Sequence, residues 1–316
     1  MSISVSIVTF IAGLLVLTGG AHWFVHGAVR LAERMRVSRL LVGLTVVAFG
    51  TSAPELFLDT TAAARGATDL AFGDLVGSNI ANMGLILGVA AVVRPLQLHS
   101  RLFRFELPIV MAVSAGLWAM AADGEIGRVD GLIMLVCFLA FLLFMYRSAK
   151  NETRDVQREL EHAAKDGGSR GKGAVYFAIG LLLLIGGAQL MVMSATSIAR
   201  AMGISDLVIG LTIVAIGTSL PELATALVAT WREECDISVG NVLGSNVFNI
   251  LFIMGLVAQI CPLPVRAESL RVDLPMMFGV VVLFGVLVAR GLRLNRIGGA
   301  ILLCAYAAYL GMKVTA

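Results

Sequence analysis

The sequence predicts an all-α integral membrane protein of ten transmembrane helices, arranged as two inverted five-helix repeats. Three observations carry that prediction. Apolar runs recur at bilayer-spanning length, a long motif returns after a fixed interval, and each interval holds an odd number of runs.

The chain has 316 residues, of which 58% are apolar and only 14% charged. Soluble domains carry about 25% charged residues. Apolar runs of about 20 residues, the length that crosses roughly 30 Å of hydrocarbon, fall at 4–24, 39–62, 71–93, 105–122, 127–146, 174–195, 206–230, 238–260, 272–290 and 296–312. The first lacks a basic n-region and a cleavage site, so it reads as a retained helix rather than a signal peptide.

Charge placement gives orientation. The connections 21–38, 94–104, 147–173, 231–237 and 290–296, with Arg39 at the edge of the first, hold 18 Lys/Arg, and the rest of the chain holds 6. The positive-inside rule puts the first set in the cytoplasm and both termini outside. A helical protein of this kind belongs in a plasma or inner membrane, since outer-membrane proteins are barrels. The one sizeable polar stretch, 147–173, reads as a cytoplasmic linker between a first repeat at 1–146 and a second at 174–316. A regulatory role is one reading of it.

The repeat is explicit. Shifted by 167 residues, GLTVVAFGTSAPEL (43–56) falls on GLTIVAIGTSLPEL (210–223), identical at 11 of 14 positions. GDLVGSNIAN (73–82) falls on GNVLGSNVFN (240–249), Gly19-Gly20-Ala21 on Gly186-Gly187-Ala188, Leu107-Pro108 on Leu274-Pro275, and Gly131 on Gly298. No insertion is expected. Five runs per copy invert the second copy in the membrane, a plan used by secondary transporters with midplane sites on interrupted helices.

The motif explains what a membrane core would otherwise exclude. Pro54 cannot donate to the carbonyl of Gly50, nor Pro221 to that of Gly217. Free carbonyls are therefore expected around Ala48 to Thr51 and Ala215 to Thr218, covered by protein or water. Thr51, Ser52, Thr218 and Ser219 add hydroxyls at that level. Glu55 and Glu222 follow the prolines near midspan, where a lone charge costs about 2.5–3.5 kcal/mol on insertion scales. No Lys or Arg lies at that depth, so compensation must come from protons or bound cations. Such oxygens match Ca²⁺, which takes 6–8 of them, and also suit Na⁺. Asp74, Ser78 and Asn82 share one helical face by their spacing, and Asn241, Ser245 and Asn249 repeat it.

These paired motifs resemble the two alpha-repeats of the Ca²⁺/cation antiporter superfamily, nearest to prokaryotic sodium/calcium exchanger-like proteins, over essentially the whole chain. The resemblance implies Na⁺-driven Ca²⁺ extrusion by alternating access. It implies central Ca²⁺ ligation by Glu55 and Glu222, completed by Asn82 and Asn249. Flanking Na⁺ sites would use Thr51, Ser52, Thr218, Ser219, Ser78, Ser245 and the carbonyls of Ala48 and Ala215. It further implies that the first and sixth spans slide across the other eight.

Two departures stand out. Some relatives carry Asp at one of the positions of Asn82 and Asn249, and here both are Asn. Asp59 stands where a small Ser-like residue is usual. It either lines the outer access path or faces outward at the interface. Asp74, opposite Asn241 in the repeat, is expected near the membrane edge.

Proton-driven cation exchange remains open on the residues, because buried carboxylates carry protons. A K⁺ co-transporting variant is weaker. A channel is disfavoured, since filters come from identical loops around an axis. No nucleophile–base pair or nucleotide loop points to an enzyme. The four Cys lack metal-ligand spacing and the four His lie near span ends or in the linker, so no cofactor is expected. Ca²⁺ and Na⁺ are cargo, the lipid bilayer is the surroundings, no nucleic acid partner is expected, and one chain completes the plan as a monomer.

Overall fold

The computed structural model describes residues 3–35, 37–150, 172–202 and 215–315. Most of the linker 147–173, and the start of the run expected at 206–230, lie outside the described residues.

The described chain is helical almost throughout. Helix α1 covers Ile3–Met35. Next comes a broken rod: α2 (Arg39–Val42), a π turn (Gly43–Val47), α3 (Ala48–Thr51) and, bent away by 46°, α4 (Ala53–Ala64). A second rod joins α5 (Thr68–Ala81), a π turn (Asn82–Ile86) and α6 (Leu87–Val93). Strand β1 (Leu96–Gln97) leads to a π turn (Leu102–Glu106) and α7 (Leu107–Met120). Strand β2 (Glu125–Ile126) precedes α8 (Arg128–Lys150).

The second half repeats the series. Helix α9 is Lys172–Ala201. The broken rod is α10 (Ala215–Thr218) and α11 (Leu220–Trp231). The next rod is α12 (Cys235–Val247), a π turn (Phe248–Met254) and α13 (Gly255–Ile260). Then come β3 (Leu263–Pro264), a π turn (Ser269–Asp273), α14 (Leu274–Val288), β4 (Arg293–Leu294) and α15 (Arg296–Thr315). Among the described residues, seven helices are long and apolar enough to cross a membrane, or eight when the bent pair Arg39–Thr51 and Ala53–Ala64 counts as one span. Several outrun the expected spans: α1 has 33 residues, about 50 Å at 1.5 Å per residue.

The 167-residue register needs one correction. Gly131 packs on α13, where a Cβ would come within 2.7 Å of the Gly255 carbonyl. The glycine that makes the corresponding approach on α6 is Gly299, 2.7 Å from the Gly88 carbonyl, and not Gly298. Helix α14 is one residue longer than α7, 15 against 14, so the register slips by one before the last helix. The backbone contact fixes the equivalence, which the adjacent pair Gly298-Gly299 leaves ambiguous in the sequence.

The short strands tie the ends together. Strand β1 pairs antiparallel with β4, and β2 with β3. Side-chain bonds between connections join the same sets. Arg39 bonds Glu234 at 2.7 Å, Arg94 meets Glu233 at 2.8 Å and His99 meets Asp236 at 3.0 Å, all among the basic set of connections. Arg266 and Asp69 pair among the others.

The rods α5–α6 and α12–α13 form the centre, with 67% and 78% of their apolar windows buried, against 22% for α1 and 28% for α9. Helices α1 and α9 pack against each other, antiparallel, through glycines spaced by seven. A Cβ at Gly180 would sit 2.3 Å from the Phe24 nitrogen, at Gly187 2.5 Å from that of Leu17, and at Gly27 2.3 Å from that of Phe177. Only residues without a side chain let the two backbones approach that closely.

Candidate functional site

The helix breaks build the site. Ser52 leaves the helical region at φ −80°, ψ 8°, and Ser219 does the same at φ −85°, ψ 3°. Pro54 and Pro221 fall in the first turn of α4 and α11. There the missing N–H costs nothing and the fixed φ starts the new helix. Glu55 and Glu222 therefore lie in the first turn of a helix, where the backbone dipole favours a carboxylate.

The expected free carbonyl at Ala48 is only half free. The Ser52 N–H donates to it at 3.0 Å, and the Thr51 hydroxyl lies 3.3 Å away. Proline removes a partner from Gly50, four residues upstream, so the backbone turn at Ala48 closes normally. Ala215 opens α10.

The two halves interlock across the centre. The Ser52 hydroxyl reaches Glu222 Oε1 at 3.2 Å and Ser245 Oγ at 3.0 Å. The Ser219 hydroxyl donates to Glu55 Oε1 at 3.4 Å. Thr51 donates to Asn241 Oδ1 at 3.0 Å. Each glutamate is thus held by a serine of the opposite half. Thr51, Ser52, Ser78, Ser219 and Ser245 are all buried, while Thr218 is half-buried. The structure brings Thr51, Ser52, Glu55, Ser219, Glu222 and Ser245 into contacts across the two halves. The bond of Ser245 with Ser52 has no counterpart between Ser78 and Ser219 among the described residues.

Each of the four residues expected to hold Ca²⁺ has one acceptor oxygen without a partner among the described residues: Glu55 Oε2, Glu222 Oε2, Asn82 Oδ1 and Asn249 Oδ1. All four side chains are 1% exposed. A buried unsatisfied group costs about 1–3 kcal/mol, and more when charged. Among the described residues no Lys or Arg pairs with either glutamate. Two other buried acids do find cations: Glu106 meets Arg101 at 3.0 Å, and Asp273 meets Lys313 at 3.2 Å.

Sequence reasoning missed Asn79 and Asn246, and the π turns. Asn82 Nδ2 donates to Asn246 Oδ1 at 3.0 Å, and Asn246 Nδ2 reaches the Asn79 carbonyl at 3.4 Å. The repeated Ser-Asn dipeptide was the available signal. Asn82 and Asn249 both lie in π turns, whose extra residue per turn recurs at functional sites. Phe138 packs on Phe248 and Phe252, with ring centroids 4.9 and 5.0 Å apart, and steadies the second of these turns.

Burial decides between the two readings of Asp59, which at 0% exposed cannot face outward at the interface; Asp74 is buried too, at 6% exposed.

A membrane fold with paired helix breaks and unpaired buried carboxylates suits a cation antiporter. The chain belongs to the sodium/calcium exchanger protein family, which matches residues 5–147 and 172–315. It is 36% identical to the putative antiporter CaxA of Alkalimonas amylolytica over 96% of this chain and 97% of that one. It is 30% identical to the sodium/calcium exchanger MaX1 of Methanosarcina acetivorans, over 98% of each. Its fold is similar to that of the sodium-calcium exchanger NCX_Mj soaked with 2.5 mM Na⁺ and 0.1 mM Sr²⁺, with TM-score 0.86 at 30% identity, covering 98% of this chain and 99% of that chain.

Proposed function

We propose that the chain exchanges Na⁺ for Ca²⁺ by alternating access and extrudes Ca²⁺ as several Na⁺ move inward. One observation carries the reading. Two buried glutamates at equivalent places in the repeat lack any cationic partner among the described residues, and with Asn82 and Asn249 they leave four acceptor oxygens unsatisfied. Acceptors without donors call for a cation, and carboxylate and amide oxygens are ligands for Ca²⁺.

In this reading Glu55, Glu222, Asn82 and Asn249 hold Ca²⁺. Thr51, Ser52, Ser78, Thr218, Ser219, Ser245 and the carbonyls of Ala48 and Ala215 contribute to Na⁺ sites. Na⁺ and Ca²⁺ compete for the same carboxylates. Each loaded state neutralises them, and neutralisation permits the change of side. The architecture is ten helices in two inverted repeats, 1–146 and 174–316, joined by the cytoplasmic linker 147–173. Both termini lie outside, and the monomer works in a plasma or inner membrane. Strand pairings that join alternate connections support that sidedness. Helices α1 and α9 slide as a pair over the buried rods, which their low burial and glycine contacts support.

The test is radiolabelled Ca²⁺ uptake into proteoliposomes preloaded with Na⁺ and diluted into Na⁺-free buffer at fixed pH. Uptake should require the Na⁺ gradient and vanish in Glu222→Gln. Uptake that ignores Na⁺ and follows a pH gradient would replace Na⁺ by H⁺ as the coupling ion.

A further inference from the structure

Both oxygens of Asp59, and Oδ2 of Asp74, have no partner among the described residues, although these side chains are 0% and 6% exposed. The hairpin of α4 and α5 sets them at one level. It turns at residues 65–67, where Gly66 takes φ 76°. Asp59 lies seven residues before Gly66, and Asp74 lies eight after it. By the same count Glu55 is level with Ser78, and Thr51 with Asn82. Asp59 lies close enough to Asp74 and to Glu55 for their charges to interact, and Asp74 close enough to Glu55 and Glu222. Yet no three acidic, His or Cys side chains among the described residues converge on one point. The aspartates thus face each other across the hairpin, with Asp59 one helical turn, about 6 Å along α4, from Glu55.

We propose that Asp59 and Asp74 form a second cation site, for a divalent ion, between the central site and the α4–α5 turn. Two carboxylates at one level balance the charge of one divalent ion. Ca²⁺ accepts their irregular geometry and completes its shell with water, whereas Mg²⁺ demands a near-ideal octahedron. Along α5 the face bearing Asp74, Ser78 and Asn82 leads from this pair to the central oxygens, so an ion can pass from one to the other without meeting a purely apolar stretch. The site exists in one half only. In the repeat Ala226 replaces Asp59, and its carbonyl accepts from Ser238 at 3.0 Å. Asn241 replaces Asp74, and its oxygen accepts from Thr51 at 3.0 Å. Cargo therefore meets an acidic relay on one side of the centre and neutral groups on the other. The relay also restores anionic charge to a core in which both Asn82 and Asn249 are neutral.

Equilibrium dialysis with radiolabelled Ca²⁺ on the purified full chain in Na⁺-free detergent tests this independently of transport. The wild type should bind about two Ca²⁺ per chain, and the Asp59→Asn/Asp74→Asn variant about one. Glu222→Gln should also lose about one, and keep the ion held by the aspartates. These isosteric changes preserve volume, and a monodisperse elution profile checks the fold. A wild type that binds a single ion, removed by Glu222→Gln and untouched by the double variant, overturns the proposal. So does unchanged Ca²⁺ stoichiometry with altered proton release, which would make the pair a proton store. If Glu222→Gln changes nothing while the double variant loses an ion, the central reading fails and the aspartate site stands.

Discussion

At the scale of the residue, the central site is defined by acceptors that nothing in the described protein satisfies. The glutamates were legible in the sequence because a carboxylate beside a proline inside an apolar run has no cheap structural explanation. The asparagines were legible only through their spacing. The direction each amide points was not, since it depends on the bond from Asn82 to Asn246 at 3.0 Å, a contact across 164 positions. Asp59 shows the limit most clearly. One residue on an amphipathic stretch faces lipid or core according to how the helix is rotated, and packing alone fixed that at 0% exposure. The neutral pair Asn82 and Asn249 leads to a prediction. Asn249→Asp adds a third carboxylate to the centre. A charge at 4 Å is worth about 4 kcal/mol at an effective dielectric of 20, but repulsion from the two glutamates opposes it. A net gain of about 1.4 kcal/mol gives about tenfold tighter Ca²⁺ binding. Titration calorimetry in Na⁺-free buffer reads this directly, and weaker binding in the variant would mean that position 249 does not face the ion.

At the scale of the element, the helix breaks and the glycine contacts differ in how far sequence exposes them. Proline marks a break locally, so the bend at 46° was readable in outline. The π turns were not, because an extra residue in a turn leaves no local signature, and their boundaries emerge only when both helix flanks are packed. Among glycines, sequence pointed to Gly19-Gly20-Ala21 and Gly186-Gly187-Ala188 without saying which of each pair matters. The structure separates them. A Cβ at Gly19 or Gly186 meets nothing within 4 Å, whereas at Gly20 it would come within 2.7 Å of the Leu184 nitrogen, at Gly187 within 2.5 Å of the Leu17 nitrogen and, seven residues earlier, at Gly180 within 2.3 Å of the Phe24 nitrogen. That contact is backbone and cannot move aside. Gly180→Ala should therefore force α1 and α9 apart and destabilise the chain by about 1–3 kcal/mol, as overpacking does. Gly186→Ala should be neutral or slightly stabilising, since alanine favours the helix by about 1 kcal/mol over glycine. Thermal unfolding of both variants in detergent compares them, and equal melting temperatures would sink the close-packing account.

At the scale of the whole molecule, duplication made the helical membrane character and the repeated order of elements legible from the order of residues alone. The slip of one residue ahead of α15 did not show there, because Gly298 and Gly299 are adjacent and identical. The sequence repeat is broken at Asp59 and Asp74, against Ala226 and Asn241. The sliding of α1 and α9 is a claim about which parts move together, so it is tested by what can be tied together. In a chain with Cys137, Cys235, Cys261 and Cys304 replaced by serine, Ser6→Cys and Ser197→Cys place two thiols where the hydroxyls now lie 3.1 Å apart on α1 and α9. A disulfide there joins two parts of one moving unit, and Na⁺-dependent Ca²⁺ uptake should survive oxidation. Arg232 at the end of α11 reaches the His22 carbonyl of α1 at 3.1 Å and the His26 ring at 3.4 Å. A short bis-maleimide bridge between His26→Cys and Arg232→Cys joins the moving unit to the rest of the chain, and uptake should stop while equilibrium Ca²⁺ binding persists. Loss of uptake on closing the first bridge would show that α1 and α9 move against each other. Uptake that continues with the second bridge closed would show that neither slides, and alternating access would have to come from the broken rods themselves.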